Sequence, residues 1–127
     1  MVVRIIKMAN ILSVDDSRTI RQLVKAVLEK EGHTVVTADD GVDGMGKART
    51  EVFDLVLSDI NMPNMNGISF VSKLRLLAGY ESAPIVMLTT ESSEFKKGKA
   101  RTMGATGWLQ KPFTPERLIA AVNRLLN

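Results

Sequence analysis

The run Leu55-Val56-Leu57 is continuously apolar, and it ends in Ser58-Asp59 and then in a segment holding Asn61, Pro63, Asn64, Asn66 and Gly67. Such a run reads as a strand buried on both faces, and a Pro, Asn and Gly loop cannot continue it. Asp59 therefore stands at a strand's C-terminal tip, which in an open α/β sheet is where ligands bind. One acid in such a place is usually a solvated loop residue. It gains meaning here because three other strands end on a chemically capable side chain.

Residues 10–14 form the first strand, stopped by Asp15-Asp16, with Ser17 as the N-cap of the next element. Ile20, Leu23, Val24, Val27 and Leu28 share one face of a 3.6-period helix that Gly32 closes. The second strand spans 33–37, followed by an Asp39-Asp40-Gly41 turn and a helix over 42–49 that Gly44 and Gly46 should keep short. His33, the only histidine, opens that strand and is expected at the surface without a role. Ile68, Val71, Leu74 and Leu77 mark a third helix ended by Gly79. Pro84 introduces Ile85-Val86-Met87-Leu88, a fourth strand whose tip carries Thr89-Thr90. The fourth helix, 92–103, has a thin apolar face (Phe95, Ala100, Met103) broken by Gly98, so it is the expected moving part. A short strand over 106–110 ends at Lys111-Pro112. Thr114 and Pro115 then open a last helix that buries Leu118, Ile119, Val122, Leu125 and Leu126. Residues 1–9 stand as an N-terminal extension, within which 1–7 either lengthen the first strand or fray.

Five strands alternating with five helices over short connections predict an α/β fold with a parallel sheet covered on both faces by right-handed crossovers. At 127 residues a single domain is expected. With no cysteine, a disulfide framework and thiol chemistry are excluded. The net charge of +3 is weak support for nucleic-acid binding, because basic residues are scattered and aromatics make up only 5% of the chain. No apolar run approaches the roughly 20 residues that span a bilayer, and Arg4 and Lys7 interrupt the only apolar stretch at the start, so no signal peptide is read. A soluble, cytoplasmic monomer that binds neither nucleic acid nor membrane is expected.

Parallel strands point one way, so Asp15, Asp16, Asp59, Thr89 and Lys111 emerge at one sheet edge. Clustered carboxylates repel, and an all-oxygen set with few protein ligands suits Mg²⁺. A lysine adds a point charge for an anion and a threonine adds a hydroxyl donor. Together they describe phosphoryl transfer with an Asp carboxylate as nucleophile.

Asp15-Asp16, Asp59 with its Asn-Met-Pro-Asn-Met-Asn-Gly loop, Thr89 thirty residues on, and Lys111-Pro112 twenty-two beyond that resemble the receiver domain of two-component response regulators. The likeness runs from Asn10 to Leu126, and is greatest to stand-alone chemotaxis regulators of the CheY type. It implies a flavodoxin-like sheet of order 2-1-3-4-5 and a cis Lys111-Pro112 bond. It implies that Asp59 accepts a phosphoryl group from a sensor histidine kinase. Asp16 and Asp59 would ligate Mg²⁺ directly, Asp15 through water, and Asn61 through its backbone carbonyl. Lys111 would bind a phosphoryl oxygen, and Thr89 another, releasing a switch residue three before the lysine, here Trp108. That position is more often Tyr or Phe in the family. Asn61 and Glu91 would tune dephosphorylation, and a separate phosphatase is an expected partner. Because the chain stops soon after the last helix, its output is expected through a separate motility protein, such as a flagellar motor switch.

Two other readings are weighed. One is a phosphate sink that drains a kinase and has no target. The other is a Mg²⁺-dependent phosphatase with an aspartate nucleophile; those enzymes carry a general acid two residues on, where Asn61 cannot serve. A nucleotide or flavin carrier is disfavoured by the acids after the first strand, and a calcium loop by Pro63.

Overall fold

Short aliphatic runs bounded by turn residues pair side by side, and the helices between them lay apolar stripes over both sheet faces. A computed structural model describes residues 8–90 and 94–126, without the side chains of 94–97. In chain order the elements are β1 (Asn10–Val14), α1 (Arg18–Lys30), β2 (Thr34–Ala38), α2 (Gly41–Thr50), β3 (Leu55–Asp59), α3 (Gly67–Leu74), β4 (Ile85–Thr89), α4 (Glu94–Thr102), β5 (Gly107–Gln110) and α5 (Pro115–Leu126). The strands are parallel in the order β2-β1-β3-β4-β5, and the expected α/β class and topology hold. The expected extension over 1–7 lies outside the described residues.

Alternation along the strands divides the core. Ile11, Leu55, Leu57, Val86 and Leu88 face Val24 and Leu28 of α1 and Leu118, Val122 and Leu126 of α5. Leu12, Val14, Val56, Ile85 and Met87 face Met45 and Ala48 of α2, Phe70, Val71 and Leu74 of α3, and Ala100 of α4. Burying one such large aliphatic side chain contributes about 1.5–3 kcal/mol. No helix among the described residues is long and apolar enough to cross a membrane.

Local signals act largely as expected. Ser17 caps α1 by accepting the Ile20 N–H at 3.3 Å, and Thr114 accepts the Arg117 N–H at 3.2 Å at the start of α5. The Lys111-Pro112 bond is cis. Four expectations need correction. The helix after β2 runs for ten residues, because Asp40 caps it through the Asp43 N–H and Gly44 is a packing residue: a Cβ there would lie 3.0 Å from both Phe70 and Val14. The third helix stops at Leu74, before Leu77 and Gly79, as its hydrogen bonds tighten to Leu76 N–Lys73 O and Leu77 N–Leu74 O. Arg75 holds that stop by donating to the carbonyls of Tyr80, Ala83 and Gly104. The second strand begins at Thr34, so His33 precedes it.

His33 is also not at the surface. It is 5% exposed, and its Nδ1 accepts the Ala9 N–H at 3.1 Å, tying the entrance of β1 to that of β2. Burial lowers its pKa below the ordinary 6.5, against an opposing pull from Glu31. Between its folded and unfolded pKa values the unfolded chain binds the extra proton. The stability this histidine provides is therefore complete above pH 6.5 and declines as pH falls below it. Urea unfolding of wild type and His33→Asn at pH 7.5 and 5.5 should show the wild type losing more stability on acidification than the variant. Equal losses would refute this.

Candidate functional site

The β1/β3 register sets Val14 beside Ser58, so the next residues, Asp15 and Asp59, meet where the two strands end. Carboxylate oxygens of Asp15, Asp16 and Asp59 all lie within 4.8 Å of one another. Asp15 is fully buried and Asp59 nearly so, whereas Asp16 is exposed. Both oxygens of Asp15 are engaged: Oδ1 accepts the Ser17 N–H at 2.8 Å, and Oδ2 accepts Lys111 Nζ at 2.7 Å. Arg21, one turn into α1, donates to the Asp15 carbonyl at 2.6 Å.

Asp59 Oδ1 accepts the Ile60 N–H at 2.9 Å and lies 3.4 Å from Lys111 Nζ. Burial, followed by repulsion from Asp15, pushes the Asp59 carboxyl up to about 6, and Lys111 and the Ile60 N–H only partly oppose this. A strand-tip carboxylate held in this way ionises less readily than a free one, and a nearby cation favours its charged form. The donor set is all oxygen, so three acids facing one lysine fit a hard metal ion.

Thr89 ends β4 and is buried, and its carbonyl accepts the Lys111 N–H at 2.8 Å, which fixes where the lysine leaves β5. The structure thus brings together Asp15, Asp16, Asp59 and Lys111, with Thr89 on the strand between. Asn61 is exposed on the loop after β3, and Glu91 lies outside the described residues. Trp108 is half-buried on β5 beside Met87, packs on the core under α4, and has the Arg101 guanidinium 5.1 Å from its ring centroid.

Some contributors escape a linear reading. The N–H of Ser17 and the side chain of Arg21 hold Asp15, and their only sequence sign is their place in the first turns of α1. The loop after Asp59 is pinned by Asn64, at φ 68°, whose Nδ2 donates to Asp40 Oδ2 at 2.7 Å. Gly67 folds back so closely that its N–H reaches the Ile60 carbonyl at 2.7 Å.

Comparison with known proteins agrees with this arrangement. The response regulator receiver domain family matches residues 11–123. The chain is 40% identical over 119 residues to protein PilH of Pseudomonas aeruginosa, covering 94% of this chain and 98% of that protein. It is 38% identical over 110 residues to a chemotaxis protein CheY homolog of Campylobacter jejuni, covering 85% of each. Among solved structures, the Vibrio cholerae chemotaxis protein CheY4 superposes with a TM-score of 0.91 at 47% identity, over 94% of this chain and 99% of that one. With the strand order, the acid cluster and the bridging lysine in place, the chain belongs to the response regulator receiver domain family and is similar nearly end to end to its stand-alone, chemotaxis-type members.

Proposed function

We propose that this protein is a phosphorylation-activated regulator in a His-to-Asp phosphorelay, with Asp59 as acceptor and a separate motility protein as target. The observation that carries the reading is the buried Asp59 held 3.4 Å from Lys111 Nζ beside two further carboxylates. An Asp59 carboxylate oxygen attacks the phosphorus of a sensor kinase's phosphohistidine. The P–N bond breaks, the imidazole leaves with its electron pair, and an acyl phosphate remains on Asp59. Asp16, Asp59 and the Asn61 carbonyl would hold Mg²⁺, and Asp15, already engaged through both oxygens, would act through water. When bound, the ion supplies the positive charge that offsets repulsion between the phosphoryl group and the carboxylates. Lys111 turns from Asp15 to a phosphoryl oxygen. The Thr89 hydroxyl takes another, and Asn61 and Glu91 set the lifetime of the product with or without a phosphatase.

Transfer of labelled phosphoryl from purified sensor kinases, in Mg²⁺ and in EDTA, tests the acceptor chemistry. A binding screen with the phosphorylated form then separates a signal carrier from a phosphate sink, which would show fast transfer and no target.

The target face is formed by α4, β5 and α5, where the described Lys99, Arg101, Arg117 and Arg124 are exposed and the sequence adds Lys96 and Lys97. A cleft of about 370 Å³ between the β5 edge and α5 includes Trp108, Arg117 and Arg124. An acidic target is favoured there, with encounter slowing as salt rises. Activation draws Thr89 toward the phosphoryl group and turns Trp108 inward, away from Arg101. Its emission should therefore shift when beryllofluoride and Mg²⁺ are added, and Thr89→Ala should suppress the shift. Identical spectra in both states would mean that Trp108 is a fixed core residue.

A further inference from the structure

Acidic residues are distributed unevenly along the chain. None occurs between Asp59 and Glu81 or between Glu94 and Glu116. Those two acid-free stretches contain α3 and most of α4, which pack beside each other and enclose a groove of about 340 Å³. Lys73 forms part of the α3 wall and Lys99 of the α4 wall. Both are exposed, and among the described residues neither has a carboxylate partner. Arg75, the other cation of the first stretch near α3, is turned inward onto backbone carbonyls. Between the lysines lie the Ser69 and Ser72 side chains and an apolar pair, half-buried Ile68 and the 36%-exposed Met103.

We infer that this α3/α4 groove is a second docking surface, which takes a short acidic segment of a partner protein, its carboxylates on Lys73 and Lys99 and one aliphatic side chain on Ile68 and Met103. The occupant follows from charge and shape. Two exposed lysines on facing walls, neither with a carboxylate partner among the described residues, complement carboxylates spaced along a peptide, and single-point ammonium groups lack the fork that favours phosphate. Among the described residues that line the groove none is aromatic, so none of these gives a nucleobase a stacking face. A second copy of this chain is a poor occupant, since both surfaces carry the same sign. The groove shares Lys99 with the face assigned to the motility target, but its other wall, with Ile68, Ser69, Ser72 and Lys73, belongs to α3, outside that face. The inference requires no phosphorylation.

The test uses the full chain and a labelled synthetic peptide of alternating Glu and Leu, with an alternating Lys and Leu peptide, ATP and anionic phospholipid vesicles as the other arms. The acidic peptide should shift the amide resonances of Ser69, Ser72, Lys73 and Lys99, and its binding by fluorescence anisotropy should weaken with salt. Lys73→Glu should reduce affinity roughly tenfold or more, Lys73→Ala should reduce it less, and Arg117→Glu, on α5, should leave it unchanged. Shifts confined to β5 and α5, equal binding by Lys73→Glu, or binding of ATP, the basic peptide or vesicles in place of the acidic peptide would each overturn the assignment.

Discussion

Asp59→Asn is expected to abolish phosphoryl labelling by a cognate kinase and, in metal-free buffer at neutral pH, to leave a more stable fold than the wild type. The first effect follows from chemistry, because an amide is no nucleophile toward phosphorus, and Asp15, the other buried acid beside Lys111, has both oxygens engaged by the Ser17 N–H and Lys111 Nζ. The second follows from linkage. The Asp59 pKa rises from 3.8 to about 6 because the carboxylate is buried and faces Asp15, so the folded chain holds an extra proton between those values. Stability is then full below the unfolded pKa and falls as pH rises through about 6. The deficit at neutral pH amounts to about 3 kcal/mol, and replacing the charge with an amide relieves much of it. Urea unfolding at pH 7 in EDTA measures the gain, and adding Mg²⁺ should stabilise the wild type more than the variant. Undiminished labelling of Asp59→Asn would remove the acceptor assignment, and unchanged stability would remove the electrostatic one.

Gly67→Ala should damage the same site from its backbone side. A Cβ on Gly67 would fall onto the Asp59 carbonyl oxygen and lie 2.9 Å from Ile60 Cα, and neither backbone atom can rotate away as a flexible side chain can. Overpacking against soft side chains typically costs 1–3 kcal/mol, so about 3 kcal/mol or more is expected here. The displaced β3 end should also slow phosphoryl acceptance. Gly46→Ala provides the contrast: the position is exposed on α2, with nothing within 4 Å of a new Cβ, so removing the glycine should stabilise by about 0.5–1 kcal/mol. Paired urea curves decide the matter. Equal effects of the two substitutions would show that Gly67 is not there for close approach.

Much of this could be read along the chain. Short aliphatic runs alternating with amphipathic stripes leave a parallel sheet as the arrangement that buries every face, and parallel strands carry their C-terminal residues to one edge. Asp15, Asp16, Asp59, Thr89 and Lys111 were legible for that reason, since each ends or closely follows a strand whose direction is set by its neighbours. The caps at Ser17 and Thr114 were legible because a side chain and an N–H three residues apart meet within one helical turn.

Tertiary packing decided what depends on residues far apart in sequence. His33 is buried because the β1 entrance, 24 positions earlier, brings the Ala9 N–H to it. Gly44 is a packing residue only because Phe70 and Val14 close over α2. The end of α3 depends on Arg75 reaching Gly104, 29 positions on, and on the fully buried Tyr80, whose hydroxyl accepts the Phe53 N–H at 3.1 Å. Above all, Lys111 meets Asp15 across 96 residues, and that contact sets the charge balance around Asp59. Local composition determines which segments become strands and helices, because their periodicity is expressed within a few residues. The burial, partners and proton affinity of a side chain are set by atoms that only the folded sheet brings within a few ångströms.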